Sequence, residues 1–424
     1  AVLTVEDSCI TTKGAARGAM FAGGHSKLYV KNCEISAEDG VLPWDYEDNV
    51  MPGNMSRVPW MLGLRGNCRA TNLADYADAL YEDCTITSEA WGVMSTDGVR
   101  RCRLNLKNCD VAITGPSGYG AFSIGDCIDT FEDCRIDVPD YALIMANETA
   151  SGVFKNTKVD AGRFAVMCFR NEGGKLVITD GSVMNTDETT VVVKGCAPII
   201  EADNCVLSPG NGIILQLMNS DDPGNPAGYY KDPTEDDTFD PTHDNKTARE
   251  TYDVVATFKD MTVTGDFYNG STGKKGDTGP KMEMAPPPGA GPEGPGGPGG
   301  PGGGPGGPGA KGNGYDGVRN MALTFDNAAV TGIISASKAL HRVEKVFKDN
   351  CEELGEVINT AQPVVNNGVI VTLKNGATWT VAGTSYLSSL TIDDTSSVVG
   401  TLLVDGKETA LVPGIYTGAL TLTI

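Results

Sequence analysis

Glu82-Asp83-Cys84-Thr85-Ile86, Lys107-Asn108-Cys109-Asp110-Val111 and Glu132-Asp133-Cys134-Arg135-Ile136 are one five-residue pattern written three times, 25 residues apart. An Asn or Asp precedes a Cys, any residue follows, then an aliphatic. Lys31-Asn32-Cys33-Glu34-Ile35 and Asp203-Asn204-Cys205-Val206-Leu207 repeat it. It returns without cysteine at Asn156-Thr157-Lys158-Val159 and Asp180-Gly181-Ser182-Val183. Phe258-Lys259-Asp260-Met261-Thr262-Val263 and Phe325-Asp326-Asn327-Ala328-Ala329-Val330 continue it. With Thr157 and Gly181 placed in the cysteine column, the intervals from Cys84 to Cys205 are 25, 25, 23, 24 and 24. A fixed interval over so many units predicts a solenoid with one turn per repeat.

Short apolar alternations rich in β-branched residues, such as Leu104-Asn105-Leu106 and Thr189 to Val193, are broken by Gly, Asn and Asp. That pattern predicts strands and turns. The expected fold class is all-β: a right-handed parallel β-helix, a β-solenoid of about 24–25 residues per coil with flank insertions. Equivalent positions then stack at strand spacing, about 4.8 Å. The expected structural ladder is Asn32, Cys33, Asp83, Cys84, Asn108, Cys109, Asp133, Cys134, Asn204 and Cys205. Its Asn and Asp side chains can hydrogen-bond from coil to coil, and its Cys act as small apolar fillers. Cys102 and Cys127 form a second column 25 residues apart, where a disulfide can close. No Cys-x-x-Cys pair occurs among the twelve cysteines, which argues against a structural zinc site.

The chain has 424 residues, 55 acidic against 33 basic, for a net charge of −22. Such a balance argues against nucleic acid or anionic lipid as the main partner, because phosphates need a cationic surface. It fits a protein that gathers cations such as calcium. No apolar run approaches the roughly 20 residues needed to span a bilayer, so no transmembrane segment is expected. Ala-Val-Leu-Thr-Val at the start is already strand-like, which reads as a mature or excised form.

Three stretches interrupt the period. The expected organisation is β-helix coils over 1–284 with insertions near 39–62 and 219–250, a Pro/Gly-rich linker or loop over 285–314, and C-terminal coils over 315–424. Insertions in a solenoid emerge as loops on its flank. The first holds Trp44, Tyr46 and Trp60, and the second Tyr229 and Tyr230, aromatic residues able to stack on sugar rings. The second also holds Asp221, Asp222, Asp232, Glu235, Asp236, Asp237 and Asp240, a carboxylate set that can take calcium, although its spacing is not that of an EF-hand. The third repeats Pro-Gly-Gly and suits an extended chain or self-association. Between Ser335 and Glu356 the sequence fits either a short helix or a further coil.

From Val369 the chain reads Val-Ile-Val-Thr-Leu-Lys-Asn-Gly-Ala-Thr-Trp-Thr-Val-Ala-Gly-Thr-Ser-Tyr-Leu-Ser-Ser-Leu-Thr-Ile. This segment resembles the coils of bacterial autotransporter adhesin passenger domains. It is also similar to the end of secreted right-handed β-helix surface proteins of anaerobic bacteria. The resemblance is sharp over some 50 residues and implies export, a place on the cell surface and a structural or adhesive role. Leu420 to Ile424 reads as a bare last strand, and open ends predict head-to-tail stacking into fibres.

The rival reading is a polysaccharide-binding or polysaccharide-cleaving β-helix protein. Asn185-Thr186-Asp187 matches one polygalacturonase tripeptide, but the companion motifs with paired aspartates, Gly-His-Gly and Arg-Ile-Lys are missing. The three histidines are His25, His243 and His341, and His25 in Gly-Gly-His-Ser reads as a turn residue. Asp126, Asp129, Asp133, Asp137 and Asp140 read as turns and ladder ends. No catalytic residue is assigned, and the sequence favours a non-enzymatic role.

Overall fold

A computed structural model describes residues 1–15, 17–42, 44, 61–96, 101–147, 149–169, 171–221, 253–271, 319–343, 346, 348–364 and 368–424. They form an all-β stack of coils. A representative coil consists of Arg103–Lys107, Asp110–Ile113 and Gly118–Ile124. The chain then returns to Ile128–Glu132, which lies parallel beside Arg103–Lys107 in full register, Arg103 opposite Ile128 and Lys107 opposite Glu132. Repetition of this step builds three sheets of 15, 8 and 11 strands, parallel except for the closing strands of the first and third. A further four-stranded sheet, starting at Thr262–Thr264, takes over the second face.

The corner between the first and second strands explains the Asn/Asp pattern. Asp7, Asn32, Asp83, Asn108, Asp133, Asn156, Asp180, Asn204, Asp260, Asn327 and Asn375 all have φ between 44° and 57°. Among L-residues, Asn and Asp tolerate this left-handed conformation best. Asp and Asn also alternate up the column, so amides donate to carboxylates one coil away: Asn32 to Asp7 at 2.6 Å, Asn108 to Asp83 at 2.7 Å, Asn156 to Asp133 at 2.6 Å and Asn327 to Asp260 at 2.6 Å. The next residue turns inward. Cys33, Cys84, Cys109, Cys134 and Cys205 are buried free thiols, and burial pushes the Cys205 thiol up to about 12.

One register differs from the sequence count. Thr157 stands opposite Ser182, not Gly181, because Lys158 pairs with Val183. Asp180 and Gly181 are both left-handed, with φ of 57° and 80°, so this corner holds one extra residue. The core is a continuous column of inward side chains, including stacked Phe131 and Phe154 with ring centroids 5.0 Å apart. Asp129, expected at a turn, instead lies inside the stack with neither carboxylate oxygen hydrogen-bonded. Burial holds its pKa well above the usual carboxylate range.

Val254–Lys259 and Met321–Asp326 pair directly in register, so the coils before and after the Pro/Gly-rich run belong to one stack. The C-terminal end corrects the expectation of a bare strand. Gly414–Thr423 runs antiparallel to Ser385–Ile392 and to Thr401–Val404, which forms a hairpin with Lys407–Thr409. Leu420 and Leu422 are buried by this closure. At the other end Val2–Glu6 pairs only with Lys27–Lys31, and Leu3, in register with buried Leu28, is 54% exposed.

Candidate functional site

The third sheet is covered on its outer side. In Tyr141–Ala146 and Phe164–Phe169 every residue is buried. Leu143, Met145, Val166 and Cys168 point into the main core. Tyr141, Ile144, Phe164, Met167 and Phe169 form a second apolar cluster with Leu62, Leu64, Val192 and Met218. Two distant segments make the cover. One contains the short 3-10 turn Met61–Gly63. The other follows Ile334–His341, contains the 3-10 turn Lys348–Glu353, and returns as Val357–Ala361 antiparallel to Ile334–His341. The described residues between Ser335 and Glu356 are therefore mainly strand and 3-10 turn.

Charged groups line the seam between sheet and cover. Arg163 is 7% exposed. Its guanidinium lies over the rings of Tyr141 and Phe164, at 4.9 and 5.1 Å from their centroids. It donates to Glu356 Oε1 at 3.2 Å, to the Gly63 carbonyl at 3.4 Å and to the Leu354 carbonyl. Asp140 Oδ1 lies 3.6 Å away, and its Oδ2 accepts from Ser117 Oγ and the Gly118 N–H, both at 2.7 Å. Tyr141 Oη donates to the Leu62 carbonyl at 2.5 Å. Arg163 thus joins both covering segments to the sheet. Burial pushes the Glu356 carboxyl up to about 7 despite Arg163 beside it, and burial also raises Asp140.

A second group lies further along the seam. Lys194, fully buried, stands in register between Phe169 and Met218. Its Nζ meets Asp221 Oδ1 at 2.8 Å. Asp221 Oδ2 accepts the Gly355 N–H at 2.5 Å and faces His341 Nε2 at 3.1 Å. Burial alone would raise the Asp221 carboxyl, but Lys194 and His341 hold it below the usual carboxylate range. Gly355 permits this approach. Its φ is +86°, and a Cβ there would lie 2.9 Å from the Phe164 ring and 3.2 Å from Lys194 Cε. On the rim, Arg342 reaches Glu188 at 2.9 Å and Glu353 at 3.1 Å.

The sequence candidates fall elsewhere, with one exception. Asp221, grouped with the calcium carboxylates, instead faces the ammonium of Lys194. Asp222, Asp232, Glu235, Asp236, Asp237 and Asp240 lie outside the described residues, as do Tyr46, Trp60, Tyr229 and Tyr230. Among the described residues, no cluster of three or more His, Cys, Asp or Glu could hold a metal ion, and no helix is long and apolar enough to cross a membrane. Trp44 is 97% exposed. Cys102 and Cys127 are both buried and stand one coil apart in the same column. His25 has φ of 57° and stacks on Tyr76 at 4.5 Å between centroids. Asn185 donates to Asp160 at 2.8 Å as a surface ladder pair. Asp140, read as a ladder end, belongs to the buried seam.

An open depression of about 480 Å³ on the second face is lined by Asn204, Cys205, Asp260, Met261 and Asn327. There Val206–Pro209 and Thr262–Thr264 are not paired, so the face is split. Met261 occupies a column position filled elsewhere by Cys, Thr, Ser or Ala.

Sequence reasoning missed Arg163, Lys194 and Glu356. Lys194 carried a signal: it closes the apolar strand Val191–Lys194 in a column shared with Phe169 and Met218. Comparison with known protein families, with curated proteins and with solved structures finds no match for this chain.

Proposed function

We propose that this chain is a right-handed parallel β-helix working outside the cell as a structural or adhesive surface protein, with glycans met by aromatic residues of its flank loops. The observation that supports this reading most is the use of its buried charges. Arg163, Glu356 and Asp140, and Lys194, Asp221 and His341, bind covering segments onto the stack across 120 to 193 positions of sequence. Groups spent this way brace a support. On the outer side of the first sheet, Glu82, Lys107, Glu132 and Lys155 stand in register and alternate in sign. Alternating charge along the stack favours a stiff, hydrated surface. From this support the nearly fully exposed indole of Trp44 is available for stacking on a sugar ring.

The test is retention on a panel of immobilised polysaccharides, comparing the native chain with Trp44→Ala. Retention of the native chain that the variant loses, at an unchanged melting temperature, is the expected result. Retention by neither protein removes the glycan-binding part of the reading. Release of oligosaccharides during the incubation would replace the adhesive role with a polysaccharide-cleaving one.

A further inference from the structure

We propose that the folded chain joins Lys194 to Asp221 through an amide bond between the lysine Nζ and the aspartate Cγ. The ion pair seen in the structure holds the two reactants together. Nζ lies 2.8 Å from Asp221 Oδ1, and Cγ is one bond beyond that oxygen, so a small side-chain rotation brings the reacting atoms to the roughly 3–3.5 Å of a near-attack arrangement. The Lys194 side chain is 0% exposed and that of Asp221 2%. Around Lys194, Phe169 and Met218 occupy the same column, and Phe164 lies against Gly355. Water that would hydrate the charges and dilute the encounter is excluded.

The second carboxylate oxygen is prepared for the reaction. When Nζ attacks Cγ, negative charge develops on an oxygen of the tetrahedral intermediate. Oδ2 already accepts the Gly355 N–H at 2.5 Å and faces His341 Nε2 at 3.1 Å. Two donors aimed at the oxygen that gains charge form the stabilising arrangement of acyl transfer. Gly355 is required for it, because any side chain there meets Phe164 and Lys194.

The chemistry balances without a co-reactant. Proton transfer from Nζ to Oδ1 converts the favoured ion pair into amine and carboxylic acid, the reactive and less populated forms, with no change in net charge. The N–Cγ bond forms, and the Cγ–Oδ1 bond breaks. Oδ1 leaves as water with the two protons lost from nitrogen. His341, 12% exposed at the rim, donates from Nε2 to Oδ2 as that oxygen gains charge, and ends in its starting state. No oxidant or reductant takes part. The Arg163 group, equally buried, has no such path, since a guanidinium is not a competent nucleophile. The bond ties the strand Val191–Lys194 to the first residues of the 219–250 insertion, and His341 and Gly355 place the returning segment over it.

The experiment is mass spectrometry of the full folded chain. The expected intact mass is one water, about 18 Da, below the sequence mass, and digestion yields a branched peptide joining Lys194 to Asp221. The branched peptide is the decisive readout, because an Asp-Gly step such as Asp180-Gly181 can lose water by cyclising without any branch. Lys194→Arg keeps the positive charge and is expected to fold with native circular dichroism but to give no branch. His341→Ala is expected to fold with the branch reduced at least tenfold. Recovery of Lys194 and Asp221 only in linear peptides from the folded native chain overturns the proposal. So does an unchanged branch in His341→Ala, because the mechanism depends on the second donor to Oδ2.

Discussion

Asn108, with φ of 50°, occupies a backbone conformation that costs most L-residues roughly 1–2 kcal/mol. Its amide also donates to Asp83 at 2.7 Å, a bond lying at the exposed corner. The two contributions separate by substitution. Asn108→Gly loses the side-chain bond but accepts the conformation, whereas Asn108→Ala loses both. Urea unfolding is expected to place the alanine variant about 1 kcal/mol below the glycine variant. An alanine variant as stable as glycine would mean that the ladder bond, and not the left-handed corner, selects Asn and Asp at this column. The same corner explains why the repeat was legible in the sequence. Each coil needs a residue tolerant of positive φ and then a small buried one, so residue type recurs wherever geometry recurs. The count slipped only at Asp180-Gly181, where a second left-handed residue enters and no residue type marks which of the two faces inward.

The covering segments obey no period, and their attachment was not legible. Arg163 and Glu356 lie 193 positions apart, and nothing local to either marks the other as its partner. Asp221 read as one carboxylate among many because its acidic neighbours dominate the composition there. Only Lys194 stood out against its apolar strand, and its meaning depends on which side of the third sheet is covered. The seam can be tested as a unit. Arg163→Met removes the cation from Glu356 and Asp140 while keeping much of the apolar stem over Tyr141. Breaking a buried pair by removing one partner costs about 3–5 kcal/mol. The loss is expected locally, so limited proteolysis should cut within 342–357 faster in the variant, with fragments defined by mass. Glu356→Gln, which keeps a hydrogen-bond acceptor for Arg163, is expected to cost less. Equal cleavage rates in the native chain and Arg163→Met would show that Arg163 does not hold the segment down.

Across the whole molecule these buried carboxyls give stability a definite pH dependence. Burial pushes Glu356 up to about 7 from its ordinary 4.5, and does the same for Glu172 despite Arg319 at 2.8 Å. A carboxyl raised in the folded state binds a proton that the unfolded chain has already released. The stability it contributes is complete below about pH 4.5 and is lost as pH rises through about 7. At 1.36 kcal/mol per unit the loss is at most about 3 kcal/mol for Glu356, and less for the more exposed Glu172. Other carboxylates act in the opposite sense. Hydrogen bonds from Asn327 and Lys259 lower Asp260, and those from Asn375 and Lys374 lower Asp326. Their contribution is present above the ordinary carboxylate range and is lost only as pH falls below it. The two sets leave a stability maximum near pH 5 and a decline toward neutrality. Melting temperatures at about pH 5 and about pH 7.5 are expected to differ by several degrees, with the acidic sample higher. The Glu172→Gln, Glu356→Gln double variant should lose most of that difference, because neither amide titrates. A native chain with the same melting temperature at both values would mean that both carboxylates ionise freely, with Arg163 and Arg319 compensating their burial in full.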